Sequence, residues 1–223
     1  MITPNTLSFL KKIAVNNNRD WFEDNKHLYL EAKDNVQSFV AQVHEELDKT
    51  DLIESDKIYR IYRDVRFSKD KTPYKNYFGG YFKRAGADRR GGYFFSIQPD
   101  NTHIGGGFYG PNKEDLLRIR KEFEHDGKTI AQILNAPDFK ATYGNLQGDG
   151  VKTAPKGFSK DHPNIDLIRK KQFYAMRSFT DEEVLADNFV EQVVHCYMVI
   201  RPFFDYMTDV LTTNLDGESL IER

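Results

Sequence analysis

The sequence predicts an α+β fold: an antiparallel or mixed sheet of about four or more strands packed against N- and C-terminal helices. Three observations carry this. Tyr29, Ala32, Val36, Phe39, Val43 and Leu47 recur at three- and four-residue steps, which lines one apolar helical stripe. From Ile58 to Tyr109 the chain turns to short Tyr- and Phe-rich segments separated by turn residues. A second helical block follows from Asp181, and strands between helical blocks indicate α+β.

In chain order, Thr6 to Val15 reads as a short helix, interrupted by Asn16-Asn17-Asn18, which favour caps and turns over helix interiors. The striped helix then starts near Asn18, and N-terminal helices are expected over about 6–48. From Ile58 the period becomes two, with Tyr59, Ile61, Arg63, Val65 and Phe67 on one side and Arg60, Tyr62, Asp64 and Arg66 on the other. A strand is expected there, although Ile58, Ile61, Tyr62 and Val65 also align in a helical register. Asn76 to Lys83, Gly92 to Gln98 and His103 to Tyr109 complete a meander over about 58–109. Its short links require antiparallel neighbours.

Asn112, with Asp115 three residues on, marks a helix start, and a further short helix fits Thr129 to Leu134. The glycines and prolines of 144–164 leave a long ordered loop or a hairpin, within a helix and loop region over about 112–164. Asp181 to Ile200 reads as one helix, and Pro202 should kink it or start another running to about Leu215. One α+β domain is therefore expected over 1–215, with C-terminal helices over about 181–215 and a polar tail at 216–223.

With 223 residues, 39% of them hydrophobic, the chain buries a core without staples. Cys196 is the only cysteine, which excludes an intrachain disulfide and any four-cysteine metal site; no metal and no cofactor are expected. A reducing, cytoplasmic location fits best. No segment approaches the ~20 apolar residues of a membrane span, and Met1 to Leu10 does not read as a signal leader. No membrane partner is expected, and oligomeric state has no signal.

The formal net charge is -2, but it is unevenly placed. Residues 57–90 hold eleven Lys or Arg and three acids, a local charge of +8, so the remainder carries -10. Within that segment Arg60-Ile61-Tyr62-Arg63-Asp64-Val65-Arg66-Phe67-Ser68-Lys69-Asp70-Lys71-Thr72-Pro73-Tyr74-Lys75 carries the chemistry. A strand puts Arg60 and Arg66 on one face with Asp64 between them, close enough for the carboxylate to hold either. Arg63 falls among apolar residues, where an unpaired charge costs several kcal/mol. It needs a carboxylate or a bound anion, and Asp20, Glu23, Asp161 or Asp166 can supply the carboxylate.

Three functions remain open for this segment. In the first, Arg60, Arg66, Lys69 and Lys75 bind a small phosphate- or carboxylate-bearing ligand, with Tyr62 and Tyr74 flanking it, and catalysis is left open. Arg63, Lys71, Arg19 and Lys156 extend that candidate surface. In the second, the segment binds single-stranded nucleic acid, with Tyr and Phe stacking the bases. A sequence pI near 6.3 weakens this reading, because a polyanion is repelled outside the patch. In the third, it is a structural ion-pair network or a protein-interaction face.

Other signals are weaker. Gly105-Gly106-Gly107 lacks phosphate-loop spacing and fits a bulge or a close backbone approach. His162, in a loop beside Asp161, is a candidate general acid or base with Asp64, or else a loop brace. His195 and Cys196 are neighbours on a helix, so they point apart and form no nucleophile pair. Asn16 to Lys26 combines the single Trp with Arg19 and asparagines at a helix start, which suits an anion, or else helix capping with Trp21 as a core anchor.

Three stretches together resemble the uncharacterised family catalogued as domain of unknown function 2461. They are Asn17-Asn18-Arg19-Asp20-Trp21-Phe22 with Asn25, Lys26 and Tyr29; the Arg60 to Lys75 run; and Pro155-Lys156-Gly157-Phe158 with Asp161-His162-Pro163. The likeness covers about Thr6 to Leu211. It implies one α+β domain of this length and brings no activity, cofactor or residue role.

Overall fold

The computed structural model describes residues 1–86, 88–214 and 217–221. In chain order its elements are α1 (Pro4–Val15), α2 (Arg19–Asp24), α3 (Lys26–Asp48), β1 (Ile53–Ile58), β2 (Phe78–Arg84), β3 (Gly92–Ile97), β4 (Thr102–Phe108), α4 (Lys113–His125), α5 (Gly127–Asn135), α6 (Pro137–Tyr143), α7 (Ile165–Ile168), β5 (Phe173–Phe179), α8 (Asp181–Leu185) and α9 (Phe189–Thr212). The strands form one antiparallel sheet in the order β1-β2-β3-β4-β5, which bears out the α+β expectation. The chain divides into two compact units: Met1–Phe82, Phe94–Ile104 and Ser178–His195; and Lys83–Tyr93, Gly105–Arg177 and Cys196–Arg223.

In the first unit the stripe of α3 does what its spacing requires. Ala32, Val36, Phe39, Val43 and Leu47 are buried, with Phe39 stacked on Phe189 and edge-on to Phe95. The helix expected from Asn18 is broken in two, because the Asn25 side chain donates to the Trp21 carbonyl and ends α2 there. Asn18 caps α2 as expected, accepting from the Trp21 N–H. The core anchor is the next residue, Phe22; Trp21 is only half-buried.

In the second unit Asn112 caps α4 by accepting from the Asp115 N–H at 2.8 Å. The triple glycine is a close backbone approach. A Cβ on Gly105 would lie 1.9 Å from the Ala175 carbonyl oxygen, and one on Gly106 2.4 Å from that of Gly92. The helix expected over 181–200 is two, since Ala186 is extended and separates α8 from α9. Pro202 starts no new helix and lies inside α9, with Cys196, Tyr197, Ile200, Phe203, Phe204 and Met207 of its second-unit part all fully buried. Their burial offsets the roughly 3 kcal/mol cost of a proline in a helix. Helix α9 ends at Thr212; Leu215, where a C-terminal helix was expected to stop, lies outside the described residues, as do Asp216, Glu222 and Arg223 of the expected tail. Of that tail, Ser219 pairs with Thr213. No described helix is long and apolar enough to cross a membrane.

Candidate functional site

The strand expected across Ile58–Phe67 does not form. β1 ends at Ile58, the Tyr59 N–H still donates to the Gly79 carbonyl of β2 at 2.8 Å, and the chain then leaves the sheet until β2 begins. The excursion is closed at its neck by an antiparallel bridge between Tyr62 and Tyr74, with Arg63 N–H donating to the Pro73 carbonyl and Lys75 N–H to the Ile61 carbonyl, both at 2.8 Å. Beyond the neck, side chains take over the hydrogen bonds that a ladder would need. Asp64 accepts from the Arg66 N–H, and Asp70 accepts from both the N–H and the hydroxyl of Thr72. Such local bonds compete with sheet pairing, and Pro73 has no N–H to offer. Asn17 fastens the neck to the core: its amide donates to the Tyr74 carbonyl at 2.9 Å and accepts from the Tyr74 N–H at 3.0 Å, as a strand would. The Tyr74 ring stacks on Phe22 with centroids 4.1 Å apart.

The excursion neutralises part of its own charge. Arg63 pairs with Asp70 and with the Thr72 hydroxyl, and not with Asp20, Glu23, Asp161 or Asp166. The Thr72 backbone N–H, followed by the Arg63 guanidinium, holds the Asp70 carboxyl down to about 2. Arg66 grips Asp64 with two bonds of 2.6 and 3.0 Å at a well-exposed position, which lowers the Asp64 pKa and keeps it ionised. Arg60 is exposed and, among the described residues, makes no ion pair, so the expected Arg60–Asp64–Arg66 set is reduced to its second half. Lys71 donates to the Val65 carbonyl, and Lys69 and Arg19 are exposed. Tyr62 is half-exposed, whereas Tyr74 is 3% exposed and held in the core by its stacking. Lys156 and His162 belong to the second unit, where Lys156 is exposed and His162 Nδ1 accepts from the Asn164 N–H.

Beneath the excursion is a cleft of about 620 Å³, with Asn17, Arg63, Asp64, Thr72, Lys75 and Tyr77 among its lining. Lys75 differs from the other cations here. Its ammonium donates to the Arg60 carbonyl at 2.8 Å and lies 5.4 and 5.9 Å from the ring centres of Tyr59 and Tyr77. Among the described residues no carboxylate is within ion-pair reach of it. Burial, with a smaller contribution from Arg60, pushes the Lys75 pKa below that of an ordinary lysine. The two rings and the carbonyl offset part of that cost without neutralising the charge. A half-buried cation in a polar cleft without an acid partner is a place for an anion. Asp70, Thr72 and Asn17, which build this cleft, were not among the residues expected from sequence. The Asp70-x-Thr72 turn chemistry was a readable signal for the first two. Asn17 is 57 positions from Tyr74, and nothing local foretells that contact. Among the described residues no group of three or more His, Cys, Asp or Glu is placed to hold a metal ion.

Fold and cleft define an α+β protein whose sheet is interrupted by a charged excursion over a lysine-centred cleft. Residues 5–206 match the family model described as "Conserved hypothetical protein (DUF2461)", and the chain belongs to that family. No curated protein and no solved structure matches it in the corresponding comparisons.

Proposed function

We propose that this protein binds a small anionic ligand, phosphate- or carboxylate-bearing, in the cleft beneath the 59–77 excursion. The observation that carries the reading is Lys75, a partly desolvated cation lining the cleft that has, among the described residues, no carboxylate within ion-pair reach. Arg63, paired with Asp70 and bonded to the Thr72 hydroxyl, forms part of the cleft wall. Pairing of Arg63 with Asp70 and of Arg66 with Asp64 supports a structural role for those two pairs. It also withdraws two cations from a nucleic-acid groove, which needs several uncommitted ones along its length. We further propose that both units belong to one folding domain over 1–215, as the sequence suggests.

A thermal-shift screen with inorganic phosphate, nucleotides, sugar phosphates and carboxylates tests the ligand reading. A ligand at 100 times its Kd stabilises by about 2.7 kcal/mol, a rise of roughly 5–10 °C for a chain of this size. The rise is expected in the native protein and lost in Lys75→Met. A flat response to every anion, or the same shift in both proteins, would reject the reading.

A further inference from the structure

A second cleft, of about 590 Å³, opens in the same unit between α3 and the end of β1. Its chemistry is of another kind. The apolar lining includes Val40 and Phe78, each 2% exposed, and Tyr29, whose ring lies nearly parallel to that of Phe78 at an interplanar angle of 11°. Lys33, Lys57 and Arg60 also line it, and among the described residues none of the three has a carboxylate within ion-pair reach. The one acid in the lining, Asp56, is already bonded to His44 Nδ1 at 2.6 Å. The Tyr29 hydroxyl has no hydrogen-bond partner among the described residues, which leaves it free to donate to an oxyanion.

We infer that this cleft binds an amphipathic aromatic anion, a flat apolar ring system carrying one carboxylate, sulfonate or phosphate group. The ring system lies against the part-buried Tyr29, Ile58 and Tyr59, over a floor of buried Val40 and Phe78, where offset or edge contacts between rings add to area burial. The acid group is held by Lys33, Lys57 and Arg60. Three cations against one committed acid favour an anion over a neutral or cationic ring compound, and the volume suits a molecule of one to three fused rings. The site does not require the Lys75 cleft to be occupied, so either reading can fail without the other.

The test uses the full-length protein and 8-anilinonaphthalene-1-sulfonate as a fluorescent probe. Saturable binding at one site is expected, with displacement by 2-naphthoate at least ten times more effective than by neutral 2-naphthol. Lys33→Glu with Lys57→Glu should weaken the probe at least tenfold. Lys12→Glu with Lys113→Glu makes the same change in net charge at exposed positions that do not line the cleft, and should leave the affinity within twofold. Should circular dichroism show the first double variant unfolded, Lys33→Gln with Lys57→Gln is read in its place, with the same tenfold loss expected. Absence of saturable binding, equal displacement by naphthol and naphthoate, or equal loss in both pairs of charge reversals would overturn the inference.

Discussion

The basic residues between 57 and 90 behave differently in the two units of the molecule. In the second unit Arg84 and Arg90 are neutralised. Arg84, 4% exposed, donates to Asp205 at 2.9 Å and to the Arg90 carbonyl at 3.1 Å, and Arg90 pairs with Asp115 at 2.5 Å. In the first unit Arg63 and Arg66 are paired within their own excursion, whereas Lys57, Arg60 and Lys75 line clefts with no carboxylate in reach among the described residues. A positive run is therefore a poor marker of a site. The informative quantity is which cation the fold desolvates or gathers without an acid beside it.

Two substitutions test this contrast. The larger effect belongs to the second unit. Asp205→Ala removes a carboxylate partner from the buried Arg84 guanidinium and should destabilise by about 3 kcal/mol, read from the urea midpoint. An unchanged midpoint would show that Arg84 is balanced by other contacts and that the contrast between units is smaller than drawn. In the first unit Asn17 fastens the neck of the excursion to the core, and the exposed Arg66–Asp64 pair is expected to contribute less. Asn17→Ala leaves the backbone N–H and carbonyl of buried Tyr74 without these partners and should cost about 2 kcal/mol. A loss no larger than that of Arg66→Ala, at an exposed pair, would break this part of the comparison.

What the sequence could show of this follows from the range of each interaction. Helix stripes and caps act over three or four residues, so the face of α3 and the Asn112 cap were readable, and Asn18 with them. The alternation from Tyr59 to Phe67 was real but outvoted, because Asp64, Asp70 and Pro73 bend the chain back. As a strand, residues 63 and 70 would stand about 23 Å apart, which is why Asp70 was not expected as the partner of Arg63. β5 went unread because Ala175, Met176, Arg177 and Ser178 carry weak strand propensity, although Phe173, Ala175 and Phe179 are buried on the expected two-residue spacing. That Lys75, Lys57 and Arg60 have no carboxylate within ion-pair reach among the described residues is a property of folded space that no local pattern encodes.

The anion-binding role of Lys75 is tested most directly by its own titration. With the side-chain Nζ or Cε resolved by NMR, the pKa in the free protein should lie below that of an ordinary lysine, as burial and Arg60 require. Adding inorganic phosphate should raise it, because a bound anion favours the ammonium over the amine, and the same linkage makes anion binding weaken as pH climbs through the Lys75 pKa. A pKa at the ordinary lysine value that inorganic phosphate leaves unmoved would contradict the account.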